Sequence, residues 1–146
     1  MNRNILLASD GSENALRAAG FTADLAAMAP ETKVTVLVVN DILERMKYYS
    51  PLQSPVIFEE VETLFREKSE EALEKTVEIF KKNKCPVEGV VRVGNPAHVI
   101  VEFAREGGFD HIVIGSRGMG SLKGIVMGSV SSKVINLAPC PVTVVK

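Results

Sequence analysis

"NILLASDGSENALRAAGFTADLA" (residues 4–26) passes from one structural period to another within three residues. "NILLAS" is a short apolar run of strand type, and it stops at Asp10-Gly11-Ser12, a turn-and-cap cluster. Beyond the cluster, Ala15, Ala18, Ala19, Thr22, Leu25, Ala26 and Ala29 recur at three- and four-residue spacing, which predicts a helix closed by Pro30. The small residues on that face let the helix lie close against a sheet.

The rest of the chain repeats the alternation. "KVTVLVV" (33–39) is β-branched and apolar on both faces, as a strand covered by helices on both sides must be. Asn40 to about Pro55 includes "YYSPLQSP", which has neither helical nor strand periodicity and reads as a long excursion, a lid or a loop, over 41–55. Residues 56–84 return to helix, with Ile57, Val61, Leu64, Phe65, Ala72, Leu73, Val77 and Phe80 on one side and mostly Glu and Lys on the other. "PVEGVVRVG" (86–94) reads as a strand, and Asn95-Pro96 as a helix cap followed by proline at the first helical position. That helix runs to Gly107-Gly108, "DHIVIG" (110–115) is a fourth strand, a helix spans about 129–137, and "PVTVV" (141–145) is the fifth strand. The prediction is an α/β fold with an open, five-stranded, mainly parallel sheet and helices on both faces. In such sheets ligands bind beyond the carboxyl ends of the strands where strand order reverses, so the loops that matter follow strands one, two and four.

With 146 residues, the chain predicts one domain over 1–146. Its 46% hydrophobic and 24% charged residues are those of an ordinary soluble protein, and no apolar run approaches the ~20 residues that span a bilayer. The N-terminal apolar run is too short for a signal peptide, so the expected location is cytoplasmic, with no membrane partner. Cys85 and Cys140 each precede a proline without metal-ligand spacing and read as reduced and structural. His98 and His111 lack matching ligand partners and read as structural too. Residues 111–146 hold four cations (Arg117, Lys123, Lys133, Lys146) and no acid, so the net charge of -1 leaves -5 on residues 1–110. An anion site belongs in the last quarter, while nucleic acid finds no basic face.

"GSRGMGSLKGIVMGSVSSKVI" (115–135) sits there, with five glycines, three cations and no carboxylate. Glycine supplies positive φ and lets main-chain N–H groups approach a ligand without an intervening Cβ, and a helix N-terminus adds unpaired N–H groups. A phosphate suits both devices. G-x-x-x-x-G-K-[ST] is absent, and "GMGSLKG" has the wrong spacing and follows the wrong strand for a dinucleotide fingerprint. The spacing present is Gly115-x2-Gly118-x9-Gly128-Ser129. With "ILLASDGSENALRAAGFTADLA", "VRVGNPAHVIVEFARE" and "FDHIVIGSRG" in order before it, the chain resembles the universal stress protein family over essentially its whole length, specifically the ATP-binding branch with its G-x2-G-x9-G-[ST] signature. The 41–55 excursion departs from the family pattern.

The resemblance implies a Rossmann-like fold of the adenine nucleotide α-hydrolase-like type. It places Asp10 beside the adenosine end and the Val39 backbone at the adenine edge. Gly115, Gly118, Gly128 and Ser129 bind phosphates on this reading, with Arg117 nearby, Val130 in the same nucleotide-binding set and Ser131 supplying a small hydroxyl. Mg2+ or Mn2+ is then held mainly by phosphates and water, without protein ligands. Read alone, Asp10 caps the first helix, the glycines turn the chain, and Arg117 and Lys123 are solvated charges. No catalytic residue is assigned, because phosphoryl transfer needs a positioned group to orient the attacking atom and the signature supplies none. The expected function is an ATP-binding regulatory protein of stress response that acts through other proteins, with at most weak hydrolysis. The rival readings are a slow ATPase or adenylate-transferring enzyme, and a nucleotide-independent interaction module. The resemblance also implies a homodimer through the apolar terminal strand 141–145.

Overall fold

The structure, a computed structural model, describes residues 3–47, 55–118 and 127–146. Its elements are β1 (Asn4–Ala8), α1 (Glu13–Met28), β2 (Lys33–Asn40), α2 (Ile42–Met46), α3 (Pro55–Lys82), β3 (Val87–Val93), α4 (Pro96–Glu106), β4 (His111–Gly115), α5 (Ser129–Leu137) and β5 (Val142–Val145). The five strands form one parallel sheet in the order β3-β2-β1-β4-β5, so strand order reverses between β1 and β4.

Alternation along the central strands divides the core into two layers. Ile5, Leu7, Val34, Val36, Val38 and Val113 face α1 and α3, packing on Ala18, Ala19, Ala23, Ala72 and Phe80. Leu6, Ala8, Leu37, Ile112 and Ile114 face α4 and α5, packing on Ala97, Ile100, Ala104 and Val134. Period-2 side chains on a twice-covered sheet explain why these strands read as unbroken apolar runs. Ala15, Ala18, Ala19, Ala23 and Ala26 of α1 are buried, so the helix does press closely on the sheet, as its small residues predict.

Three features differ from the sequence reading. The stretch after Asn40 is not irregular from its start, since α2 forms there, with Ile42 N–H donating to Asn40 Oδ1 (3.0 Å) and Arg45 paired to Asp41. Five residues with one buried anchor, Ile42, are too short to show a period. The remainder of the proposed lid, residues 48–54 with Tyr48 and Tyr49, lies outside the described residues. In α3 the predicted apolar side is covered only in its C-terminal half: Ser69, Ala72, Thr76 and Phe80 are buried, whereas Ile57 and Leu64 are each 47% exposed. Finally, Ser12 and not Asp10 caps α1, accepting from Ala15 N–H (3.3 Å).

Candidate functional site

The C-terminal ends of β1 and β4 lie side by side at the reversal of strand order, and each leads into a turn dictated by its own residues. After β1, Gly11 takes φ 78°, a conformation that suits glycine. Asp10 Oδ1 accepts the Ser12 N–H (3.0 Å), an Asx-type turn that sets up the Ser12 cap. Below it runs a chain of hydroxyls: the Gly11 N–H donates to Ser9 Oγ (3.2 Å), Ser9 pairs with Thr76 Oγ1 (2.7 Å), and Thr76 donates to the Ala72 carbonyl (2.7 Å). Because the single Thr76 proton goes to Ala72, Ser9 is the donor between the two hydroxyls. The turn is thereby anchored to α3.

After β4 the hub is Ser116, a residue without a role in the sequence reading. It is buried, its N–H donates to the Val145 carbonyl (2.7 Å), and its Oγ accepts from Asn14 Nδ2 (3.1 Å). Its carbonyl accepts from the Gly128 N–H (2.6 Å) and from Ser131 Oγ (2.8 Å). One residue thus joins α1, β5 and the start of α5, and the 119–126 segment between its anchors, including Lys123, lies outside the described residues. Polar residues bordering glycines are the only sequence trace of such a hub. Among the described residues no buried side-chain nitrogen or oxygen lacks a partner.

The signature glycines act through size. None of Gly115, Gly118 and Gly128 has positive φ, which corrects the expectation that they supply it; among the described glycines Gly11, Gly94 and Gly108 do. A Cβ on Gly115 would stand 3.0 Å from Ala15 N and from Asn14 Cβ, so this glycine lets the first turn of α1 sit on the end of β4. A Cβ on Gly118 would run into Asp10 Oδ2. Asp10 and Gly118, far apart in sequence, are therefore in contact across the strand reversal. Around Gly128 a Cβ would find Ser116 O at 3.4 Å and Ser131 Oγ at 3.5 Å, ordinary contacts.

Gly128 is also the N-cap of α5, with no side chain to offer, and the first intrahelical bond there is Ser132 N–H to Gly128 O (3.1 Å). The N–H groups of Ser129, Val130 and Ser131 consequently have no intrahelical acceptor. In α1 and α4 a cap side chain serves one of the equivalent groups, Ser12 the Ala15 N–H and Asn95 the His98 N–H. Arg117 is half-buried between the two anchors of the segment. Ser131 is 2% exposed and its proton is committed to the Ser116 carbonyl, so only its oxygen lone pairs remain for a ligand. Val39 stands apart from this group, on the β2 side in register with Arg92, two residues beyond the Leu37 carbonyl that accepts the Ser9 N–H (3.0 Å). Among the described residues no cluster of three or more His, Cys, Asp or Glu could hold a metal.

The fold as a whole is matched in known proteins. The model of the Universal stress protein family matches residues 1–146. The chain belongs to the universal stress protein family. It is 31% identical to universal stress protein MJ0531 of Methanocaldococcus jannaschii over 144 residues, covering 99% of this chain and 82% of that one. It is 30% identical to universal stress protein YxiE of Bacillus subtilis over 151 residues, covering both chains fully. Among solved structures it is similar to protein MJ0577 (TM-score 0.84, 28% identity, 99% and 95% covered). It is also similar to the universal stress protein from Archaeoglobus fulgidus in complex with dAMP (TM-score 0.70, 25% identity, 100% and 98% covered).

Proposed function

We propose that this universal stress protein binds an adenine nucleotide, ATP with Mg2+ or Mn2+, and acts as a cytoplasmic regulatory protein of stress response through its effect on partner proteins. The observation that carries the reading is the N-terminus of α5: three successive N–H groups, from Ser129, Val130 and Ser131, at a strand reversal, behind a cap residue without a side chain. Such an end attracts phosphate through its unpaired donors and its partial positive charge. The dAMP complex of the Archaeoglobus relative supports the choice of an adenine nucleotide. Phosphates would lie over Gly118, Gly128 and Ser129 with Arg117 beside them, Asp10 would approach the nucleotide from the β1 turn, and the Val39 backbone would border the base. The cation would be held by phosphate oxygens and water.

Isothermal titration of Mg·ATP into nucleotide-stripped protein tests this. Saturable binding near micromolar affinity, about -8 kcal/mol, is expected, and it should vanish in a Gly118→Ala, Gly128→Ala double variant. Absence of heat with the wild type would reject the reading. A second reading, slow phosphoryl transfer, is favoured by one observation, the Asp10 carboxylate against Gly118. It requires ADP to accumulate in proportion to protein and to stop in Asp10→Asn; a rate well below the ~10 per second of ordinary enzymes is expected at most.

A further inference from the structure

Asn14 lies in the first turn of α1, just past the Ser12 cap, and is buried. Asparagine is a poor helix former, and a buried amide needs a partner. That partner is Ser116, whose Oγ accepts from Asn14 Nδ2 (3.1 Å) across 102 positions of chain. The approach depends on Gly115, since a Cβ there would stand 3.0 Å from Asn14 Cβ.

Ser116 is thereby held at two of the substituents of its Cα. Its N–H is fixed on the Val145 carbonyl (2.7 Å) and its side chain on Asn14. With the first tether alone the residue could pivot about its N–H. The substituents of a tetrahedral carbon turn together, so the second tether also fixes where the Ser116 carbonyl points. That carbonyl receives the Gly128 N–H (2.6 Å) and Ser131 Oγ (2.8 Å), one from the cap of α5 and the other from its first turn. Asn14, Ser116 and Ser131 are all buried, where water does not compete and each hydrogen bond is stronger than at the surface.

We infer that Asn14 is a positioning residue for the anion-binding end of α5: without touching the nucleotide, it holds the Ser116 carbonyl on which Gly128 and Ser131 are seated. It thereby sets where the N–H groups of Ser129, Val130 and Ser131 stand. The inference rests on the nucleotide reading, in which those N–H groups meet phosphate. Donors that act together on one ligand must be held within about 0.5 Å, and the residues behind them do the holding. Asn14 does so from outside the glycine spacing, on the helix that follows the neighbouring strand.

The test titrates Mg·ATP into nucleotide-stripped wild type, Asn14→Ala, Ser116→Ala and the double variant. A further variant, Thr22→Ala, removes a buried hydrogen bond of α1 (Thr22 Oγ1 to the Ala18 carbonyl, 2.8 Å) about two turns further along the helix. Asn14→Ala and Ser116→Ala should each weaken ATP at least about tenfold, as loss of an outer hydrogen bond does at metal sites. The double variant should be no weaker than either single one, because both changes remove the same link. Thr22→Ala should bind as the wild type does. In the ligand-free chain the Gly128 amide should exchange with solvent faster in Asn14→Ala, by a larger factor than the β1 amides, whose exchange follows opening of the core. Ser116→Ala deletes a single oxygen and keeps the test decisive should Asn14→Ala fold poorly. Additive losses in the double variant, an equal loss in Thr22→Ala, or Gly128 exchange that rises no more than that of β1 overturns the inference. Wild type that takes up no Mg·ATP removes the nucleotide reading and this inference together, whereas wild type and both single variants binding equally well removes the inference alone.

Discussion

Gly115 and Gly128 both belong to the G-x2-G-x9-G spacing, yet a methyl group at each meets a different fate. At Gly115 it would press on the backbone of Asn14 and Ala15 at 3.0 Å, where neither α1 nor β4 yields without disturbing the core. At Gly128 the neighbours are at ordinary distances. Gly115→Ala should therefore lower the unfolding free energy by about 1–3 kcal/mol, the usual cost of overpacking, and Gly128→Ala by less than about 1 kcal/mol. Urea unfolding of the two variants checks this, and equal losses would show that the contact at Gly115 is relaxed in solution. The same geometry makes Gly128→Ala, and not Gly115→Ala, the informative variant for ligand binding.

At the scale of elements, the two sides of the site are fastened by different means. The β1–α1 turn depends on one cap: Ser12 Oγ holds the Ala15 N–H, and Ser12→Ala should cost about 1 kcal/mol in thermal or urea unfolding. No change would mean that another acceptor serves that amide. The β4–β5 pair carries a titrating link, His111 Nε2 to Thr143 Oγ1 (2.7 Å). Partial burial, with the Arg3 charge adding to it, holds the His111 imidazole below its ordinary value. The folded chain then binds fewer protons than the unfolded chain as pH falls through about 6.5. This group accordingly costs stability on acidification, beginning near the unfolded value and levelling below the folded one. Relative to a His111→Gln variant, which keeps a hydrogen-bonding group in place, the wild type should lose stability progressively between about pH 7.5 and 5. Parallel curves over that range would exclude His111 as the cause.

For the molecule as a whole, the strand order leaves β3 and β5 as the two edges of the sheet. An unpaired edge is a template for another strand, and β5 is short, apolar and half-buried. Pairing of β5 with its copy across a two-fold axis is the proposed assembly, so light scattering at micromolar concentration should give twice the chain mass; a monomer would refute it. Among the described residues no helix is long and apolar enough to cross a membrane.

Local order was written plainly in the chain. Asp10-Gly11-Ser12, Asn95-Pro96 and Gly128-Ser129 each mark a helix start within a residue or two, because capping and turn chemistry are local properties of the backbone. The apolar runs at 4–9, 33–39 and 110–115 identified buried parallel strands, since a twice-covered strand needs apolar residues at every position. The glycine spacing likewise falls on the turn after β4, beside the reversal of strand order. What it could not reveal was how those glycines act: that Gly115 makes room for α1, that Gly118 abuts Asp10, and that Ser116 joins three elements depend on β1 and β4 becoming neighbours. The same holds for α3, whose periodic stripe looks alike from Phe58 to Phe80 although only its C-terminal half meets the sheet. Period records which residues share a face, and only the packed chain decides where that face finds something to lie against.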